Sequence, residues 1–347
     1  MKTTIRKIDR TADLDLQLCD AAEMIRNGGL VVFPTETVYG LGGSALDAEA
    51  AGRIYSAKGR PSDNPLIIHI SDPSEAEKYC YTNPTYYRLA EAFMPGPLTV
   101  IMPKRDCIPL SVTGGLDTVA VRCPEDIVAR TLIRLSGVPI AAPSANISGR
   151  PSPTSAEHVI DDLNGRVDMI LDGGDCRIGL ESTVVKADGD SVTVLRPGGI
   201  TPQMLSEVCG EVSLDGGITK KSETGTAPLA PGMKYKHYAP RPEVYLLTGN
   251  KARIVEYIRS ELAGNDDVGV IAFDEYLPDV AGRFTVGIGS EADYTAHAHS
   301  LFSALRYFDT TSVVRIYARA VEARGIDLAT YNRMIKAAGY KIIDFGE

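Results

Sequence analysis

Apolar residues along this chain fall into short blocks, and the blocks alternate between helical and strand spacing. Leu14, Leu18, Ala21 and Ile25 recur at helical period behind Asp13, a side chain suited to an N-cap, and the run stops at Asn27-Gly28-Gly29. Leu30 to Phe33 is a short apolar strand that runs into a polar loop. Asp47 can cap a second helix with Ala51, Ile54 and Tyr55 on its inner face, ending at Lys58-Gly59. Strands are predicted at Leu66 to Ile70, Leu98 to Met102, Thr118 to Arg122, Val138 to Ala142, Met169 to Leu171, Ser182 to Lys186 and Val192 to Leu195. Helices are predicted at Glu125 to Leu135 and, with proline in its first turn, at Pro202 to Val208.

From Asp215 to Pro242 the periodicity stops and Gly, Pro, Lys and Thr take over, which reads as a linker. Its second half, Pro231 to Pro240, holds Lys234, Tyr235, Lys236, His237 and Tyr238, a composition unusual for a flexible spacer. After Glu243 the alternation resumes. Strands are predicted at Val244 to Leu247, Val268 to Phe273 and Phe284 to Ile288, with helices at Ala252 to Leu262, Ala296 to Tyr307 and Asn332 to Ala338. The chain therefore divides into 1–214, a linker or lid at 215–242, and a small α/β layer at 243–347. A surface role for the Asn332 to Ala338 helix as a docking element competes with packing on its own sheet, which is favoured.

A chain of 347 residues accommodates about two domains, and 44% hydrophobic with 23% charged residues is the composition of a soluble globular protein. The net charge of -9 argues against broad, sequence-independent nucleic-acid binding, although a local basic patch remains open. The start of the chain is charged and shows no signal-peptide pattern, and no apolar run nears the ~20 residues that span a bilayer. These features lead to the expectation of a cytoplasmic protein without a membrane partner. The six cysteines form no C-x-x-C pair and are expected as reduced thiols, with no protein metal site.

The chemistry concentrates in polar loops at strand ends: Pro34 to Gly42, Lys58 to Leu66, Ser144 to Gly149 and Glu181 to Val185. Hydroxyls, amides and fixed cations in such loops suit a phosphorylated ligand held beside a small polar one. Lys58, Arg60, Arg122 and Arg196 are the candidate anion contacts, because arginine offers a rigid fork and lysine a point charge. There is no G-x-x-x-x-G-K-[ST] or kinase signature, so a nucleotide would be bound by another scheme, and no G-x-G-x-x-G follows the first strand of the C-terminal layer to support dinucleotide binding there. His69 interrupts an apolar strand and, by alternation, faces away from Ile68 and Ile70, toward a cleft. His158, His297 and His299 fall on predicted helices without a motif and are read as surface residues. Asp161-Asp162 and Asp172 to Asp175 could attract a cation, but as isolated features they are read as turns.

These loops, continuing through Pro151-Ser152-Pro153-Thr154 and joined by Arg196-Pro197-Gly198 and Gly232 to Pro240, resemble the YrdC-like family. With its C-terminal layer the chain is similar to the two-domain branch of that family, the L-threonylcarbamoyladenylate synthases. The resemblance spans essentially the whole chain and is most specific in the first part. It implies an α/β fold: a twisted, open YrdC-like sheet around a concave basic cavity, followed by a Rossmann-like α/β layer. It also implies a nucleotidyltransferase. L-threonine, bicarbonate or CO2, and ATP with Mg2+ would give threonylcarbamoyl-adenylate and pyrophosphate, and a separate tRNA threonylcarbamoyltransferase would use the product on the adenosine beside the anticodon.

Carried over by position, the resemblance implies that Thr35 or Thr37, His69, Arg122 and Ser182, with the backbone of Ala142, hold threonine. Lys58, Arg60, Asn64, Thr118, Ser144, Asn146, Ser152 and Arg196 would approach the nucleotide, and Tyr238 would close over it. Lys58 and Arg60 would offset charge on the phosphates, with Mg2+ taking few protein ligands. His69 is either a base for the amine or a hydrogen-bonding group. The competing readings are an RNA-binding module, a carbamoyl-phosphate-dependent maturation factor, disfavoured by the missing cysteine pairs, and a nucleotide sensor without catalysis.

Overall fold

The structure is a computed structural model, and it describes residues 2–218 and 237–346. The chain forms two compact units, Met1–Ser148 with Ser152–Lys234, and Gly149–Pro151 with Tyr235–Glu347. Residues 219–236 of the linker, including Lys234 and Lys236, lie outside the described residues.

The first unit is built on one mixed sheet. Its strands are β1 (Thr4–Lys7), β2 (Val31–Phe33), β3 (Gly40–Ser44), β4 (Ile67–His69), β5 (Leu98–Pro103), β6 (Thr118–Arg122), β7 (Ile140–Ala141), β8 (Met169–Asp172), β9 (Thr183–Asp188), β10 (Ser191–Arg196) and β11 (Val212–Leu214). They lie in the order β1-β8-β2-β3-β7-β4-β6-β5-β9-β10-β11. Helices Leu14–Arg26 and Ile127–Ser136 share a core in which Leu18, Ile25, Phe33, Leu132, Ile140 and Leu171 are buried. Each fully buried side chain of this kind contributes roughly 1.5–3 kcal/mol. The predicted caps hold: Asp13 accepts from the amides of Asp15 and Leu16, and Asp47 from that of Glu49. Gly59 ends the second helix, Ala48–Lys58, in the left-handed conformation.

Strands β1 and β11 of this unit are absent from the sequence reading, and two further elements differ from it for a clear physical reason. Gly40–Ser44 is read as part of a loop but is a buried strand, paired antiparallel with β2 and β7. The reason is close packing: a Cβ at Gly42 would lie 2.6 Å from the Ile140 side chain and 2.7 Å from that of Phe33. With glycine at three of its five positions, the strand gives no periodic signal. The helix Pro84–Phe93, capped by Asn83, is absent from the sequence reading. Beyond residue 214 the chain stays on the first sheet. The amide of Asp215 donates to Val194, and Ile218 is buried at the end of a short 3-10 turn.

The second unit holds a fully parallel sheet of β12 (Glu243–Thr248), β13 (Val268–Ala272), β14 (Phe284–Gly287), β15 (Arg315–Arg319) and β16 (Ile342–Asp344), ordered β14-β13-β15-β12-β16. β15 separates the first two strands of the unit, so the order is not that of the dinucleotide-binding sheet. Helices Lys251–Leu262, Tyr294–Phe308 and Asp327–Ala337 accompany it. Asn332 to Ala338 is buried at every position, which leaves it no docking face. Among the described residues, no helix is long and apolar enough to cross a membrane.

Candidate active site

Strand register assembles the centre of the site. In the parallel pair β4–β6, His69 stands beside Arg122, and in the antiparallel pair β5–β6, Thr99 stands on the other side of Arg122. Directly paired residues point to the same face, so the three side chains form a polar row across the sheet. One rung away on this face lie Ile67, Ala120 and Ile101, part of an apolar cluster with Val184 and Leu195. His69, Arg122 and Thr99 are all buried. Thr99 is missing from the sequence reading, yet its signal matches that of His69: a polar residue inside an apolar strand.

Nδ1 of His69 lies 3.3 Å from the carbonyl oxygen of Ile140. A carbonyl only accepts, so Nδ1 carries the proton in this arrangement and Nε2 presents a lone pair. Burial, and then the charge of Arg122, push the imidazole down to about 3. His69 is therefore neutral at physiological pH. Arg122 donates through Nη2 to Oε1 of Glu36 at 2.6 Å, a pair buried on both sides. Its Nε is buried and has no hydrogen-bond partner among the described residues. Glu36 sits inside the Pro34 to Gly42 loop without a role in the sequence reading. Nothing local distinguishes it, because its partner is 86 residues away.

The other end of the row continues into the Glu181 loop. The hydroxyls of Thr99 and Ser182 lie 2.7 Å apart. Arg196 donates through Nε and Nη2 to the carbonyl of Ser182, at 3.1 and 3.0 Å, and through Nη2 to its hydroxyl at 3.2 Å. Gly198 lets this corner close, since a Cβ there would stand 2.3 Å from the amide nitrogen of Thr183. In the Pro34 loop, Thr35 donates to the carbonyl of Val38 at 2.6 Å, and its oxygen also lies 2.8 Å from that of Thr37. Thr35 thus spends its proton locally, whereas Thr37 can donate to Thr35 and keep its own lone pairs open. Ala142 is tied to β4 by its amide, which donates to Ile67.

The cation-rich loops meet at Lys58. Its ammonium is buried and donates to the carbonyls of Ser144 and Asn146, each at 2.5 Å. The Ser144 hydroxyl donates to the side-chain oxygen of Asn146 at 2.6 Å. Asp162 holds the same loop by accepting from the amide of Ile147 at 3.2 Å. Asp162 is not part of a turn: it is a buried residue of helix Ala156–Leu163, whose N-cap Ser155 accepts from the amide of His158. Arg60 folds back on its own loop, donating to the carbonyls of Asn64 and Pro65. Oδ1 of Asn64 is buried and has no hydrogen-bond partner among the described residues. Ser152 donates to Oε1 of Glu181 at 2.5 Å. Backbone bonds stitch the loops together: Leu41 to Pro143, Ala145 to Tyr39, Tyr39 to Pro153, and Ile178 to Glu36.

Thr118 and Tyr238 are the remaining positions named by the sequence reading. Thr118 begins β6, about 13 Å along the strand from Arg122 at the usual rise. Tyr238 belongs to the second unit, where it stacks on Phe302 with ring centroids 5.3 Å apart. In that unit His297 is not a surface residue. It is fully buried, with Nδ1 at 3.1 Å from the Asp327 carboxylate and Nε2 at 2.8 Å from the carbonyl of Ser290. Helical periodicity does not reveal which polar side chain finds such partners.

A family model described as "Telomere recombination", for the Sua5–YciO–YrdC domain, matches residues 23–198. A second, described as "Threonylcarbamoyl-AMP synthase, C-terminal domain", matches residues 200–339. A threonylcarbamoyl-AMP synthase of Bacillus subtilis (strain 168) is 44% identical over 348 residues, covering 99% of this chain and 100% of its own. One of Pyrococcus abyssi is 48% identical over 328 residues, covering 93% and 94%. The crystal structure of P. abyssi Sua5 complexed with L-threonine matches with a TM-score of 0.91 at 45% identity, covering 99% of each chain.

Proposed function

The chain belongs to the Sua5–YciO–YrdC family with a Sua5-type C-terminal domain, and from that premise we infer that it joins L-threonine, bicarbonate or CO2, and ATP into L-threonylcarbamoyladenylate, releasing pyrophosphate. It is a nucleotidyltransferase-type enzyme of tRNA threonylcarbamoyl modification. The observation that carries the site assignment is the buried row of His69, Arg122 and Thr99, in which the Nε donor of Arg122 has no partner among the described residues. A buried donor of this kind is costly unless a ligand completes it. The carboxylate of threonine would do so.

In this reading Arg122 takes the carboxylate, while Nε2 of His69 accepts from the amine or hydroxyl of threonine. Thr37 and Ser182 supply further hydroxyl contacts beside the Ala142 backbone. A group held near 3 is a poor general base at neutral pH, so His69 orients the amine and does not deprotonate it. The neutral amine attacks the carbon of CO2, forming the N–C bond of the carbamate and losing one proton to solvent; from bicarbonate, water leaves instead. A carbamate oxygen then attacks the α-phosphorus, the bond to the β-phosphate oxygen breaks, and pyrophosphate departs. No residue becomes covalently attached, and the chain acts by positioning and charge stabilisation.

Lys58, Ser144 and Asn146, with Arg60 and Asn64 on the adjoining loop, would receive the nucleotide, and Ser152, Arg196, Thr118 and Tyr238 complete the proposed set. Mg2+ would neutralise phosphate charge. Among the described residues no three His, Cys, Asp or Glu side chains are grouped to hold a metal. The nearby carboxylates of Glu36 and Glu181 are engaged by Arg122 and Ser152. That donor set fits an ion carried by phosphate oxygens and water. The product would pass to a tRNA threonylcarbamoyltransferase, and the reading carries a cytoplasmic location with it.

The test is pyrophosphate release from Mg-ATP with threonine and bicarbonate each present or omitted. Release that requires both is the expected result. Release with neither would indicate a pyrophosphohydrolase, and ATP binding without release would favour a nucleotide sensor.

A further inference from the structure

We propose that Glu36 is a positioning residue for substrate recognition: it holds the guanidinium of Arg122 by one nitrogen so that the Nε side stays open for the carboxylate of the amino-acid substrate. The role rests on the functional reading above. Glu36 is buried and is anchored from several directions. Its Oε1 accepts from Nη2 of Arg122 at 2.6 Å, and its Oε2 accepts from the amide of Asp126 at 3.4 Å. Asp126 is the N-cap of helix Ile127–Ser136, so the carboxylate of Glu36 lies at the positive end of that helix. The backbone carbonyl of Glu36 accepts from the amide of Ile178 at 2.8 Å, which fixes the loop behind the side chain.

Glu36 approaches Arg122 at Nη2 and leaves Nε without a partner among the described residues. A carboxylate gripping both nitrogens of the fork would have filled the position that a substrate needs. Contact at one nitrogen restrains rotation of the guanidinium while keeping a donor in reserve. Glu36 thus acts through Arg122 and need not touch the substrate.

The experiment measures binding of L-threonine and of L-threoninamide, which lacks the carboxylate, to the full chain and to Glu36→Gln. The amide keeps the shape and an accepting oxygen but removes the charge that restrains Arg122. Threonine is expected to bind at least about tenfold more weakly to the variant, with threoninamide changed less than about twofold. Threonine affinity unchanged in a folded variant would overturn the proposal. Equal losses for both ligands would also overturn it, since they would place Glu36 on the amine or in the fold alone. Should Glu36→Gln not fold, Glu36→Asp keeps the charge but shortens the reach, and the same selective loss of threonine is expected. Wild-type protein that binds neither ligand would overturn the functional reading itself, and this role with it.

Discussion

Lys58 and Ser144 lie 86 residues apart in the chain, and Nζ of Lys58 donates to the carbonyl oxygen of Ser144 at 2.5 Å. The contact sets a buried ammonium among the carbonyls of the Ser144 loop and ties the end of helix Ala48–Lys58 to it. Lys58→Ala removes a charge proposed for the phosphates and strands two carbonyls. The expected result is a fall of about 10²–10³ in kcat/KM for ATP, with a stability loss of about 1–3 kcal/mol. Pyrophosphate kinetics and urea unfolding check both. A loss of stability with ATP use intact would leave Lys58 a purely structural role.

Gly198 is required by distance. A methyl group there meets the Thr183 amide nitrogen at 2.3 Å and the Glu181 carbonyl at 2.7 Å, and neither backbone atom can swing aside. Gly198→Ala is expected to destabilise the first unit by about 1–3 kcal/mol and to displace Ser182, raising the apparent KM for threonine. Denaturant midpoints and threonine kinetics on the same preparation test this, and an unchanged midpoint would refute the packing argument.

His69 gives stability a definite pH dependence. The imidazole titrates near 6.5 when unfolded and is pushed down to about 3 in the folded chain. Below about 6.5 the unfolded state takes a proton that the folded state refuses. The contribution of the neutral imidazole is therefore complete above about 6.5 and is lost as pH falls toward about 3, by at most about 1.4 kcal/mol per pH unit. Unfolding free energies between pH 7 and pH 4 for wild type and His69→Asn should diverge in slope by up to that amount. Parallel curves would show that His69 ionises freely.

His297 has the opposite sign. Burial disfavours its charged form, but the hydrogen bond and charge of Asp327 outweigh that effect and hold the imidazole above its ordinary value. Its stabilisation is present below the unfolded value and is lost as pH rises through the folded one. Asp327→Asn should therefore lower the melting temperature of the chain more at pH 6 than at pH 9. An equal drop at both would mean that the pair is held by hydrogen bonding without charge.

Much of the fold was legible because its signals are local. Asp13 and Asp47 announced their helices through caps, and the apolar blocks at Leu98 and Thr118 announced β5 and β6. The missed strand Gly40–Ser44 shows the limit. Its identity comes from Phe33 and Ile140 pressing on bare backbone, and neither contact is written in its own residues. For the site, His69 stood out because a polar residue broke an apolar strand. Thr99 broke one in the same way and could have been found by the same rule.

The chain by itself determined the alternation of helices and strands, the loops that bear hydroxyls and cations, and the two-part organisation, because caps, periodicity and breakers act within a few residues. Only the tertiary structure decided which loops meet. Register across β4, β6 and β5 put His69, Arg122 and Thr99 abreast, and burial made His69 neutral. Pairing Arg122 with Glu36, Lys58 with Ser144, and His297 with Asp327 joined residues far apart in sequence. Such partnerships depend on distance and desolvation in the folded chain, and no pattern of neighbouring residues encodes either.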